Sequence, residues 1–453
     1  MKAKWHALPK GGDKIKEVRI SDLKNIINLS SENAPNLKTR LGRHPYISFT
    51  QWSNKPERLF ILSNGNLAIA FRNVLNMDYI KVFDCDTAGY VADFTNGGDY
   101  DITELYSKSQ SKLETIFPST FGNSLAIYED NTYSFTAGHW GHSYLAVHNG
   151  RVYAAKSGSN YVNGYEENDY LWAGKRQLTF YVDGKRSPCT GLFSFKDKLI
   201  YFSNHSMHAI NIRTDKTKGK DAAGKDFEII EDVVMQERIA DDIGCRSNYS
   251  IANVGGRLIW LGQDGVYEYD GRNNPRMISR QINKEIKEFN FDNLWIKPEG
   301  FALGGKYYLT ICEKAPYKNK VFVYDTENSE WQTYQYETPI FSFAVYDGML
   351  LGVAIDSKIY ALERDNSNEN ISWSLEIEVD KATQKIEIVS KKDVNMQIGA
   401  KLKVNGVEIK DLENVDDAFV IPNLLFTTND KAAIKIYGTG VIEIEKIYKK
   451  GGE

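Results

Sequence analysis

One pattern recurs often enough along this chain to restrict its fold: a short apolar strand, a two-residue turn, then a second apolar strand, often with a third that ends in tyrosine. It stands in ERLFILSNGNLAIAFRN (57–73), SYLAVHNGRVYAAKSG (143–158), GLFSFKDKLIYFSNHSMHAINI (191–212), NVGGRLIWLGQDGVYEYDG (253–271), GFALGGKYYLTICEK (300–314) and SFAVYDGMLLGVAIDSKIYALER (342–364). The turns are Asn-Gly, Gly-Gly, Lys-Asp or Asp-Gly, pairs that accept the left-handed backbone of a tight hairpin. Hairpins at this pitch, repeated over roughly 330 residues, suit a β-propeller with blades of about 40–45 residues, and the length admits about six to eight of them. In the 253–271 segment, Arg257, Ile259 and Leu261 alternate with Leu258 and Trp260, which reads as a strand buried on both faces. Gly265, beside Asp264, is expected at positive φ in the turn that follows.

Composition points the same way, because 12% aromatic residues favour strands and 35 glycines supply turns, so the expected class is all-β. One helix is expected over 278–289, where Ile278, Ile282, Ile286 and Phe289 share a face and Ser279 is placed to cap it. After about residue 370 the texture changes to strict two-residue alternation, as in SWSLEIEVD and KLKVNGVEIKDL, the pattern of an antiparallel sandwich. Residues 1–41 are polar and interrupted by proline. The expected organisation is therefore an N-terminal docking arm (1–41), a β-propeller (42–369) and a C-terminal β-sandwich (370–453).

The 56 basic and 60 acidic residues leave a net charge of -4, which argues against a protein whose main task is to grip phosphates. The first residues lack the continuous apolar core of a signal peptide and no apolar run reaches membrane-spanning length, so synthesis in a cytoplasm without a membrane anchor is expected. Cys85, Cys189, Cys245 and Cys312 lie far apart and suggest neither a zinc site nor a disulfide framework.

Two H-x-x-H pairs, His139 with His142 and His205 with His208, could chelate a metal only across a turn, since residues i and i+3 of a strand face opposite sides; turn or rim histidines are the expected reading. Asp242, Asp264, Glu268, Asp270 and Asp325 are the carboxylates to weigh as a glycosidase pair, and turn-forming neighbours explain most of them. QDGVYEYDG invites comparison with the Asp-box of sialidases but lacks the hydroxyl residue before Asp264 and the Thr-Trp after Gly265. No phosphate loop, nucleophile elbow or Cys-His arrangement is present, and KTKGK (216–220) reads as a solvated loop. No catalytic residue, metal site or cofactor is expected.

Four patches, in order, resemble the propeller-bearing tail and neck proteins of double-stranded DNA bacteriophages, of the packaged-DNA stabilisation or tail-nozzle type. The first is Leu23-Lys24-Asn25 followed by Ala34-Pro35-Asn36-Leu37, Arg40, Gly42 and Arg43. The second is His148 to Tyr153 followed by Asp169 and Trp172. The third resembles most closely: Gly244, Cys245 and Ser247, then Asp264 to Tyr267, Tyr269 to Gly271, Pro275, Ile278, Ser279 and Ile282. The fourth is the final IKIYGTGVIEIEKIYKKGGE. Residues 74–135 match nothing in that family's pattern, and His142 to Tyr144 stand where relatives carry an aspartate. The resemblance implies a virion structural protein in a homo-oligomeric, hexameric ring. It would contact portal, adaptor or other tail proteins and double-stranded DNA passing without sequence recognition. A carbohydrate-active propeller, glycosidase or receptor-binding lectin, is the rival, with Trp140, Tyr161 and Tyr165 as sugar-stacking residues.

Overall fold

The structure, a computed structural model, describes residues 14–19, 22–31, 36–40, 42–48, 55–72, 78–84, 90–95, 101, 103–107, 112–118, 125–129, 132–135, 143–165, 178–182, 188–220, 225–314, 318–364, 371–392, 396–415, 417–421 and 430–451. They are all-β apart from the helix Asn283–Lys287 and short 3-10 turns, and they form two units.

The unit of Pro45–Asn319 and Glu337–Leu362 is a β-propeller. Four-stranded antiparallel meanders follow one another along the chain, with first strands Lys55–Ile61, Thr103–Ser107, Tyr144–His148, Gly191–Phe195 and Ala252–Val254. The hairpin of Glu299–Leu303 and Lys306–Cys312 comes next. The last meander, Ile340–Tyr346, Met349–Ala354 and Lys358–Arg364, takes its fourth strand, Gly42–Ser48, from the start of the chain. Hydrogen bonds between the two ends of the propeller thus close it without a covalent link. Thr103–Ser107, Tyr144–His148 and Gly191–Phe195 pack in succession, Gly191–Phe195 meets the turn Asn248–Ser250 that precedes Ala252–Val254, and Ala252–Val254, Glu299–Leu303, Ile340–Tyr346 and Lys55–Ile61 again pack in succession.

The turn chemistry follows the sequence. Asn149-Gly150, Gly255-Gly256, Gly304-Gly305, Asp347-Gly348 and Asn405-Gly406 each have both residues at positive φ, as a two-residue hairpin turn of the primed kind requires. Gly265 departs from expectation, because it is not among the positive-φ residues. What excludes a side chain there is space: a Cβ would lie 2.5 Å from Ser279 Oγ and 2.8 Å from Asn283 Oδ1. The expected helix shortens to Asn283–Lys287, with Ile282, Ile286 and Phe289 buried as the periodicity predicts. Ser279 does not cap it; its Oγ instead accepts the Val266 N–H at 2.7 Å.

The second unit gathers Met1–His44, Lys320–Tyr336 and Glu363–Glu453, a division that differs from the expected 1–41, 42–369 and 370–453. It is a β-sandwich whose core draws Trp373, Leu375, Ile434 and Ile436 from one sheet and Ile386, Ile388, Ile442 and Ile444 from the other. The described N-terminal residues are part of it rather than an arm laid on another body. Leu23–Ile27 pairs with Ser372–Val379, Lys14–Glu17 and Leu37–Thr39 pair with Ile442–Gly451, and Val18, Leu23, Ile26, Leu29 and Leu37 enter the shared core.

Candidate functional site in the propeller channel

The first strands line an open cavity of ≈ 630 Å³ to which each strand or its approach contributes, among them Arg58, Asp101, Leu145, Leu192, Asn248, Glu299 and Phe343. A strand that leads each blade must present alternate side chains to this space, so its chemistry is set by which of them are polar.

The polar groups brace the ring. Arg58 Nε lies 3.1 Å from Glu299 Oε2, both side chains being 8% exposed. Glu299 Oε1 accepts from Ser342 Oγ and from the Phe343 N–H, each at 3.0 Å. One carboxylate thus ties together the blades led by Lys55–Ile61, Glu299–Leu303 and Ile340–Tyr346, where the ring closes. Burial pushes Glu299 above the ordinary carboxylate range, while Arg58 and these hydrogen bonds pull it back. The Arg58 guanidinium also sits 3.1 Å from the centroid of the Tyr249 ring. Asp101 Oδ2 accepts the Leu145 N–H at 2.7 Å and Asn248 Nδ2 at 3.3 Å, and Asn248 Oδ1 accepts the Leu192 N–H at 2.9 Å. Glu104 accepts from the Ser63 N–H at 3.0 Å. His148 Nδ1 meets Ser194 Oγ of the next blade at 3.0 Å, and burial lowers its pKa.

The Gly-Cys-x-Ser stretch forms a second brace. Gly244 passes so close to the preceding blade that a Cβ would lie 2.2 Å from the Asn204 carbonyl. The Cys245 N–H donates to Ser203 O at 3.0 Å and its thiol to Ser247 O at 3.0 Å. Ser247 Oγ reaches forward to Pro298 O at 2.7 Å, and Tyr307 donates to Ser250 O at 2.7 Å. Three blades are stapled through one segment. Burial pushes the Cys245 thiol up to about 12, far from nucleophilic.

None of the carboxylates that the sequence raises lines the channel. Asp264 accepts the Tyr267 hydroxyl at 2.8 Å, and Glu268 is shared by Arg257 and Arg276. Asp270 accepts the Arg272 and Asn273 N–H groups, each at 2.8 Å, which hold it down to about 2. Asp325 accepts the Glu327 and Asn328 N–H groups, the Asx turn that its neighbours suggest. Asp242 is exposed. His205 is exposed and His208 buried, and among the described residues no cluster of three or more metal-ligating side chains occurs. His139, His142, Trp140, Asp169 and Trp172 lie outside the described residues, as does the Tyr165 side chain. Tyr161 packs edge-on against Tyr181 at 6.3 Å. Arg58, Asp101, Asn248 and Glu299 were missed by sequence reasoning, because nothing near any of them marks it as polar lining.

No family model matches the chain, and no curated protein does. Among solved structures it is similar to a catalytically inactive virginiamycin B lyase from Staphylococcus aureus with quinupristin. That likeness has a TM-score of 0.46 and 13% identity over 70% of this chain and 98% of that one. It is also similar to BamB from Moraxella catarrhalis, with a TM-score of 0.41 and 11% identity over 79% of this chain and 99% of that one. The class, an all-β propeller, stands on the meanders and the ring of first strands.

Proposed function

We propose that this chain is a bacteriophage virion structural protein of the tail or neck, several copies of which form part of a ring that extends or plugs the DNA channel and helps retain or guide the genome. The observation that supports this reading is the employment of the resembling residues. Gly244, Cys245 and Ser247 staple three blades, Arg151 pairs with Asp232 at 3.0 Å, and Arg40 is buried against Asn28 and the Gln335 carbonyl. Residues spent on joints suit a wall that bears load. The mechanism is mechanical and electrostatic: a net charge of -4 gives passing DNA no sink of counterion release, so the duplex is confined without being held.

Particles made without the protein test this reading. They are expected to package DNA and then lose it, or to fail at ejection, and supplied protein restores infectivity. Fully infectious particles lacking it, or purified protein that cleaves glycans, would favour the carbohydrate-active alternative.

A further inference from the structure

The blade led by Gly191–Phe195 has two unusually long outer strands, Met207–Lys220 and Asp226–Ala240, paired in one register from His208 with Arg238 out to Lys220 with Asp226. Of Met207–Lys220, only Met207–Ile210 pairs with the neighbouring strand Lys198–Phe202. Asp232 is anchored to Arg151 of the preceding blade, and Gln236 Nε2 donates to Tyr181 O of that blade at 2.8 Å. Beyond Asp232 the hairpin leaves the blade. Asp215–Lys220 and Asp226–Glu231 form a two-stranded ribbon about 20 Å long, and no described strand pairs with either outer edge.

A two-stranded ribbon is marginal in water, and open edges are pairing templates. The two strands of this one carry opposite charge, and Lys220 lies 3.9 Å from Asp226 across the ribbon. Asp215–Lys220 has Lys216, Lys218 and Lys220 against Asp215, while Asp226–Glu231 has Asp226, Glu228 and Glu231 and no basic residue. We infer that the ribbon is a head-to-tail self-association edge, in which the acidic strand of one copy adds to the basic strand of the next copy of this chain. The pairing suits rotational symmetry. If all ribbons in a ring point the same way, one copy's returning strand meets the next copy's outgoing strand antiparallel, and contact of unlike edges is the heterologous kind that closes rings. The inference rests on the ring reading above and names the element that joins its subunits.

The test uses the full chain in three forms, with masses read by native mass spectrometry at low and high salt. Wild type is expected to oligomerise, more weakly at high salt. Lys218→Glu with Lys220→Glu, which makes both edges acidic, is expected to lose the oligomer. Adding Asp226→Lys and Glu231→Lys exchanges the edges and restores attraction within and between ribbons; this variant is expected to oligomerise with itself but not to mix with wild type. A ribbon whose charges matter only to its own folding would let the exchanged form and wild type mix freely, which would overturn the inference. An oligomer that survives the single-edge change, or a wild type that stays monomeric, would also overturn it. None of these outcomes decides whether the protein resides in the virion, which the particle experiments test separately.

Discussion

At the scale of single residues, conformation and space make different demands. The positive φ of Asn149-Gly150 or Gly255-Gly256 is written in the dipeptide itself, and so is legible. The need for glycine at 265 is imposed by Ser279 and Asn283, which fold back from later in the chain, and local reading cannot find it. Gly265→Val is expected to displace the Ser279 hydroxyl from the Val266 N–H and cost about 1–3 kcal/mol in chemical denaturation. Asp264→Asn keeps an acceptor for Tyr267, so its midpoint should move by no more than about 0.5 kcal/mol. Glu330 makes a pH-dependent prediction. It is 7% exposed, its Oε2 has no hydrogen-bond partner in the described structure, and burial with the Asp325 carboxylate pushes it up to about 7. A carboxyl whose folded pKa is raised favours folding fully below its ordinary pKa of 4.5, and that advantage is lost as pH rises through about 7. Glu330→Gln should therefore stabilise the sandwich unit by about 1–3 kcal/mol at pH 8 and by little near pH 4, as read from urea midpoints at the two pH values.

At the scale of elements, strands and turns were readable because alternation and turn residues are local, whereas the joints between blades were not. Arg58 and Glu299 lie 241 positions apart, and nothing near either one marks it as a partner. The helix was only half legible: its apolar face is real, but the Ser279 hydroxyl is used by a strand instead of a helix terminus. Glu299→Ala would leave Arg58 buried without its carboxylate and release Ser342 and Phe343 at the closing joint. Breaking a buried pair on one side costs about 3–5 kcal/mol, and hydrogen exchange should quicken first in Lys55–Ile61 and Ile340–Tyr346.

At the scale of the whole molecule, the all-β class and the propeller were legible, and the second unit was not delimited correctly. Its N-terminal strands looked like an arm because apolar residues such as Val18, Leu23, Ile26, Leu29 and Leu37 are widely spaced in a polar segment. They complete a core whose other members lie more than three hundred residues away. Residues 370–453 expressed alone should therefore give poorly dispersed amide spectra, and adding residues 14–44 as a separate peptide should restore dispersion; a well-dispersed spectrum without the peptide would count against the shared core. Electron cryomicroscopy of purified particles would locate the protein: a ring of propellers around the DNA channel of the tail or neck, into which this structure fits, is expected, and intact, infectious particles with no such density would overturn the proposed role.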